Sequence, residues 1–256
     1  MIHKSLLTVV FQVKDEQEQI TNAVKSAKLL TNNVIVMDMK STDQTARLAK
    51  NAGAKVISIP SEEYVELIRN FAFTKTDSDW ILILDADERM TPELVQEINA
   101  TLVSNLPETH YYLPRLNIFN GQPFKHGGWW PDKQIRLIKR QAFIEWPKQI
   151  HSTVKVNGET GSLNNYFLHN FHGNLHGMVS KTIKFENTEA DLLFKAGRKV
   201  NVAIFFRKYL AELYRRLLKF QGWRDGPYGI IESIYQAYSK TITWLLLYEK
   251  KLLAKQ

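Results

Sequence analysis

The sequence predicts an α/β fold: a mostly parallel sheet with helices on both faces, followed by a C-terminal helical appendage. Three observations carry the prediction. Short apolar, β-branched runs alternate with segments of helical period through the first hundred residues. Several of those runs end in acidic residues. The excess of basic residues is confined to the last quarter of the chain.

The elements follow in order. "LLTVVFQV" (6–13) is a β-branched apolar run, read as a buried strand. "DEQEQITNAVKSAKLL" has helical spacing at Ile20, Val24 and Ala27. "NVIVMD" (33–38) is a second buried strand. Ser41 with Gln44 three residues on reads as a capping box, and Gly53 as the stop of that helix. "AKVISI" (54–59) is a third strand, 62–76 a helix, and "WILILD" (80–85) a fourth strand. Thr91-Pro92 reads as an N-cap followed by Pro at the first helical position, opening a helix to about Val103. After residue 107 the pattern changes. "HYYLPRLNIFNGQPF" and "KQIRLIKRQAFIEW" suggest shorter, antiparallel strands joined by the loop "KHGGWWPD". The expected division is a sheet-bearing domain over 1–194 and a basic helical region over 195–256.

Composition bounds the function. The 256 residues suit one large domain, or one with an appendage, and 44% hydrophobic content supports a sizeable core. The absence of cysteine excludes disulfides, thiolate metal sites and a cysteine nucleophile. The first residues do not read as a secretory signal, and no stretch reaches the roughly 18 apolar residues of a membrane span. Residues 195–256 carry 13 Lys/Arg and 4 Asp/Glu, a charge of +9, while the rest of the chain carries −1. Such asymmetry points to an anionic partner for the tail.

Ligands of parallel sheets bind beyond the carboxyl ends of the strands. Three of the expected ends here carry acids: "VKDE", Asp38, and Asp85 with Asp87. In an extended chain the one-residue spacing of Asp85 and Asp87 puts both carboxylates on one side. Two such charges favour a divalent cation, and hard oxygen ligands suit Mg²⁺ or Mn²⁺ bound together with substrate phosphates. The bland alternative is that the acids occupy the start of the next helix.

Several stretches carry a resemblance. "DWILILDADERMTPEL" resembles the Asp-Ala-Asp-Glu segment of family 2 glycosyltransferases, inverting enzymes with the Rossmann-like GT-A fold. "VIVMDMKSTDQTARLAKNAGAKV", "VVFQVKDEQEQI" and "LIRNFAF" are similar to further segments of that family. "GWWPDKQIRLIKR" and "GWRDGPYG" resemble stretches of its small lipopolysaccharide-core β-glucosyltransferases. The resemblance implies that Glu16 and Asp38 contact the base and ribose of a uridine nucleotide. Asp85 would sit near the ribose or the metal, Asp87 would ligate the metal on the diphosphate, and Arg69 and Asn70 would help to hold the donor. His169, in "LHNFHGNLHG", would be a late metal or diphosphate contact. The chain departs from the family pattern at Asp15 (usually Asn), at Lys40 and Gln44 (usually Gly) and at Ser152 (often Glu).

Inverting transfer needs a stabilised leaving diphosphate, a positioned acceptor hydroxyl and a base. A metal together with Arg136 would supply the first. Asp132, flanked in sequence by Trp129, Trp130 and Pro131, is the leading base, with Glu145 and His151 in reserve. Residues 198–220 fit an amphipathic helix. Lys208, Arg215 and Lys219 fall on one face, and Val202, Phe206, Tyr209, Leu213, Leu217 and Phe220 on the other. A second apolar helix is expected over 229–248. The expectation is therefore a cytoplasmic enzyme peripheral to the inner membrane. It would move a hexose such as glucose from a UDP-sugar to a lipopolysaccharide-core or other lipid-linked acceptor, against an anionic membrane surface. No nucleic-acid module is recognisable. The alternatives are a catalytically impaired, nucleotide-sugar-binding membrane adaptor and a nucleotidyltransferase. The second lacks a Gly-rich loop after the first strand.

Overall fold

A computed structural model describes residues 6–61, 68–104, 106–147, 152–170 and 175–254. By internal contacts the chain forms two compact units. The first comprises residues 1–115 and 132–169, the second residues 116–131 and 170–256.

In the first unit, strands β1 (Leu7–Val13), β2 (Val34–Asp38), β3 (Lys55–Ser58) and β4 (Trp80–Leu84) lie parallel in the order β3-β2-β1-β4. The order reverses at β1, which places the carboxyl ends of β1, β2 and β4 side by side. Strand β8 (Asp132–Lys139) joins antiparallel to β4, and β6 (Glu108–Phe119) antiparallel to β8. Sequence reading expected short strands after residue 107. β6 instead runs for 12 residues, passing from the first unit into the second.

The central strands are buried along their whole length, and successive side chains enter opposite cores as a two-residue period requires. Leu7, Val9, Phe11 and Val13 of β1 join Leu82 and Leu84 in one core, with Ile20, Ala23 and Val24 of helix α1 (Ile20–Ala27). Leu94, Val95 and Ile98 of helix α4 (Pro92–Val103) pack on the same side. Val10, Ile35, Met37, Ile81 and Ile83 form the other core, with Ala72 and Phe73 of helix α3 (Asn70–Thr74). Helices thus cover both faces, as expected. Residues 62–67 of the helix expected over 62–76 lie outside the described residues.

The Thr91-Pro92 signal is realised: the Thr91 hydroxyl accepts the Leu94 N–H, and Pro92 opens α4. The Ser41–Gln44 capping box is not. Helix α2 (Thr45–Asn51) begins after Gln44, whose side chain makes no cap bond. Ser41 is drawn instead to Asp38, to which its hydroxyl donates at 2.5 Å.

The second unit is built on helices α5 (Leu175–Lys195), α6 (Val202–Leu213) and α7 (Gly226–Leu253). It takes in more than the expected appendage from residue 195, because α5 packs along α7: Ser239 and Thr243 donate to the half-buried Glu186. "GWRDGPYG" is a packing motif. Gly222 and Gly229 approach so closely that a Cβ on Gly229 would run into the Gly222 carbonyl. Asp225 accepts from the backbone N–H groups of Lys125 and His126 at 3.0 and 2.8 Å, and lies 2.6 Å from His126 Nδ1. It thereby ties the "KHGGWWPD" loop to the start of α7. Among the described residues no helix is long and apolar enough to cross a membrane.

Glu232 is 1% exposed in α7. One carboxyl oxygen accepts from Gln236 at 2.7 Å, and the other has no hydrogen-bond partner. Burial raises its pKa to about 7, against 4.5 for a free glutamate. A group whose folded pKa is raised stabilises most fully below the unfolded value, and that stability is lost as pH rises through the folded value. Stability should therefore fall by about 3 kcal/mol or less between roughly pH 4.5 and 7 on account of this group. Glu232→Gln should flatten that fall and raise the melting temperature at pH 8. Melting curves across the range test this, and an unchanged slope in the variant would contradict it.

Candidate active site

The loops that leave β1 and β2 are clasped together. Asp15 and Lys40 both adopt left-handed backbone, at φ 53° and 58°. Asp15 tolerates that conformation, whereas Lys40 bears strain that the glycine usual at this position in the resembling family would avoid. The Asp15 N–H donates to the Ser41 hydroxyl at 2.9 Å, and Asp15 Oδ1 accepts the Thr42 N–H at 2.7 Å. Glu16 N–H donates to Thr45 Oγ1 at 2.8 Å, and Gln17 N–H to Asp43 Oδ2 at 3.1 Å. "KSTDQT" is thus a set of short polar side chains that fixes the backbone of residues 15–17. It holds Glu16 at the end of β1 beside the buried Asp38 at the end of β2.

The acidic segment at the end of β4 does not run on extended. The Glu88 N–H returns to the Asp85 carbonyl at 3.0 Å, closing a turn over residues 85–88. The expectation that Asp85 and Asp87 share a face fails for this reason, and the two carboxylates have different partners. Asp85 accepts from Arg69 Nη2 at 3.1 Å and Arg136 Nη2 at 2.8 Å. Asp87 lies 3.4 Å from His169 Nε2. After the turn, β5 (Glu88–Arg89) pairs antiparallel with β12 (Phe167–Asn170), placing His169 opposite Glu88. That pairing brings His169 to Asp87 from 82 positions away in the chain. It also separates the acids from α4, so they do not serve as its first turn.

Glu88, fully buried, organises the floor of this region. Its Oε2 accepts the Asp85 N–H at 2.9 Å, and its Oε1 accepts from Arg136 Nη2 at 2.5 Å. Arg115, on β6, approaches Oε1 to 3.6 Å. Burial pushes the Glu88 carboxyl up and the charge of Asp85 adds to this, against the opposing pull of Arg136. For Asp85, burial acts in the same direction, but the charges of Arg136 and Arg69 outweigh it and hold the carboxyl well below the usual carboxylate range. Burial works against the Arg136 cation too. The two carboxylates more than offset it and raise that group above its ordinary value.

Other expected residues are placed as follows. Arg69 is buried, stacks over Trp146 with 4.5 Å to the ring centroid, and points its guanidinium at Asp85. The Asn70 side chain bonds the Trp146 backbone at both ends, donating at 2.9 Å and accepting at 2.8 Å. Asn70 thereby fastens the start of α3 to the Trp146 backbone. Arg136 is 3% exposed and clamped between two acids, which suits holding Asp85 rather than meeting a diphosphate. Asp132 faces Arg115 across the β6–β8 pair, with Arg115 Nη2 2.7 Å from Oδ2. Gln134 donates to Asp132 Oδ1 at 2.7 Å. Glu145 pairs with Lys155 at the surface, and His151 lies outside the described residues.

Sequence reasoning missed Arg115. Its signal was visible as a lone cation within the apolar alternation of "YYLPRLNIF".

Among the described residues no cluster of three or more Asp, Glu or His is placed to hold a metal ion. Asp87 and His169 would supply two ligands to such an ion, one carboxylate oxygen and one imidazole nitrogen. That set fits a divalent ion that completes its shell with phosphate oxygens and water, and the nitrogen favours Mn²⁺ over Mg²⁺.

With this geometry in view, residues 8–153 match the family model for glycosyl transferase family 2. The chain belongs to that family. This family 2 glycosyltransferase is 30% identical over 258 residues to the uncharacterized glycosyltransferase RT0209 of Rickettsia typhi, spanning 93% of this chain and 85% of that protein. Its identity to RC0292 of Rickettsia conorii, another uncharacterized glycosyltransferase, is 27% over 258 residues, spanning 94% and 89%. Among solved structures, residues 1–349 of S. aureus TarS superpose with a TM-score of 0.51 at 14% identity, over 98% of this chain and 92% of that one. At that identity the likeness speaks for the shared GT-A fold.

Removing one member of a buried, hydrogen-bonded ion pair costs about 3–5 kcal/mol. Glu88→Ala should therefore lower stability by about 3 kcal/mol in urea unfolding, and Glu88→Gln, which keeps an acceptor for the Asp85 N–H, by less. A loss below about 1 kcal/mol for the alanine variant would contradict the role given to Glu88.

Proposed function

We propose that this glycosyltransferase is a metal-dependent, inverting enzyme that moves a hexose, glucose in the first instance, from a UDP-sugar to a lipopolysaccharide-core or other lipid-linked glycan. It would act at the cytoplasmic face of the inner membrane. The observation that carries the reading is the Asp87–His169 pair, 3.4 Å apart at the carboxyl end of β4, beside an Asp85 whose charge two arginines hold in place.

In this reading Asp87 and His169 hold Mn²⁺ or Mg²⁺. The ion, when bound, neutralises charge on the leaving diphosphate. Glu16 and Asp38 meet the uracil and ribose at the clasped loops, and Asp85 meets the ribose side of the donor. Arg69 and Arg136 act as positioning residues: they fix the direction of the Asp85 carboxylate and keep it ionised. Asp132 takes the proton of the acceptor hydroxyl. Arg115 and Gln134 hold its carboxylate in one orientation, which is what a general base needs before its basicity matters. The lipid-linked acceptor is supported by the basic excess of residues 195–256.

Two variants separate the roles. Asp87→Ala should abolish Mn²⁺-dependent turnover of UDP-glucose. Asp132→Asn should lower kcat about 10²–10⁴-fold while leaving UDP binding intact. Metal-dependent turnover that survives in Asp87→Ala would remove the metal assignment. A kcat within tenfold of wild type in Asp132→Asn would move the base elsewhere, Glu145 being next.

A further inference from the structure

Helix α6 and the π-helical turn after it (Tyr214–Lys219) present an outward face that a solvated helix would not have. Helical periodicity groups Lys208, Arg215 and Lys219 on one face and Val202, Phe206, Tyr209, Leu213, Leu217 and Phe220 on the other. The structure differs. Phe205 and Ile204 pack towards the Ala190–Trp244–Leu247 core, and Tyr209, Leu213 and Leu217 are half-buried. Lys208, expected on the basic face, lies over Trp244 with its ammonium 4.9 Å from the ring centroid. Turned outward instead are Val202 (58% exposed), Phe206 (69%), Leu210 (60%), Tyr214 (60%) and Leu218 (58%).

These five stand four residues apart. In a continuous α-helix such a row drifts about 40° per step. The wider π turn, marked by the Phe220 N–H returning five residues to the Arg215 carbonyl at 2.9 Å, counters that drift at the last step, from Tyr214 to Leu218. The exposed row winds gently along the helix before that step and is roughly 24 Å long at 1.5 Å per residue. Scattered exposed apolar side chains need no explanation, but a continuous row of large ones does. The exposed Phe220 and Trp223 follow directly.

The charges beside the stripe have one sign. Arg207, Arg215 and Lys219 are exposed on the same outward side. From 195 to 225 the acids are Glu212 and Asp225. Glu212 is bound by Arg215 and Arg216, and Asp225 by His126 and the loop backbone. A second copy docked on this face by symmetry would bring like charges together, with no exposed carboxylate to answer them. An anionic bilayer answers both features: acyl chains take the stripe, and headgroups the flanking cations.

We infer that the outward face of residues 202–223 is an in-plane docking surface for anionic phospholipid. This deepens the proposed reading of a lipid-linked acceptor, on which it rests for its purpose. The docking itself can be measured without any transfer reaction.

The experiment is flotation of the full chain with phosphatidylcholine vesicles, with and without phosphatidylglycerol. Wild type should float only with the anionic vesicles, and high salt should release it. Phe206→Ser with Leu210→Ser should weaken binding at least about tenfold. Arg207→Gln with Lys219→Gln should weaken it about fivefold for each charge removed. Both pairs sit at the surface and should melt like wild type. The inference is overturned if wild type ignores anionic vesicles, or if the serine pair binds them as wild type does. It is also overturned if sedimentation shows a dimer that the serine pair dissolves, which would give the face to a second copy. Vesicle binding as expected, together with no transfer to any lipid-linked acceptor, would count against the proposed acceptor and support the surface.

Discussion

The arrangement at the end of β4 depends on one buried cation. Arg136 reaches from β8 and bonds Asp85 and Glu88 together at 2.8 and 2.5 Å. Without it, two carboxylates three residues apart in a tight turn would repel in a poorly solvated place, and one would take up a proton. With it, both can be held, Glu88 below and Asp85 above, and the turn between them has a fixed shape. That shape directs Asp87 away from Asp85 and towards β12, where His169 is waiting.

Around this centre the Arg and acid residues match in number. Arg69, Arg115 and Arg136 stand against Asp85, Glu88 and Asp132, each acid within hydrogen-bond reach of at least one guanidinium. Three strands contribute: Arg115 from β6, Asp132 and Arg136 from β8, Glu88 from β5. The network therefore fastens the antiparallel part of the sheet to the end of the parallel part. It acts on the same residues that would meet donor and acceptor, so the interactions that hold the fold here also set the site geometry.

Much of this was legible beforehand. Four parallel strands, three of them buried throughout, the Thr91-Pro92 helix start and the acidic strand ends follow from short-range pattern, because burial on both sheet faces leaves an unbroken apolar run and a cap needs particular residues at particular places. What was not legible is what depends on distant partners. The spacing of Asp85 and Asp87 gives a common face only if the chain stays extended, and the turn that breaks it is stabilised by Glu88 and Arg136, 48 residues apart. Ser41 looked like a helix cap because nothing local reveals that Asp38 and Asp15 compete for its hydroxyl. The apolar face of α6 was legible in part: Val202, Phe206 and Phe220 are exposed, but Tyr209, Leu213 and Leu217 are half-buried, because a helical wheel shows which residues lie together, not which side the neighbouring helices cover, and because the π turn changes the phase.

We propose that Asp87 and His169, rather than Asp85, hold the metal. The most direct measurement is pulsed electron spin resonance of Mn²⁺ bound with UDP to protein carrying ¹⁵N-labelled histidine. The account predicts coupling to one imidazole nitrogen that persists in Asp85→Asn and disappears in His169→Ala. A spectrum with no imidazole coupling, or one unchanged by His169→Ala, would contradict it.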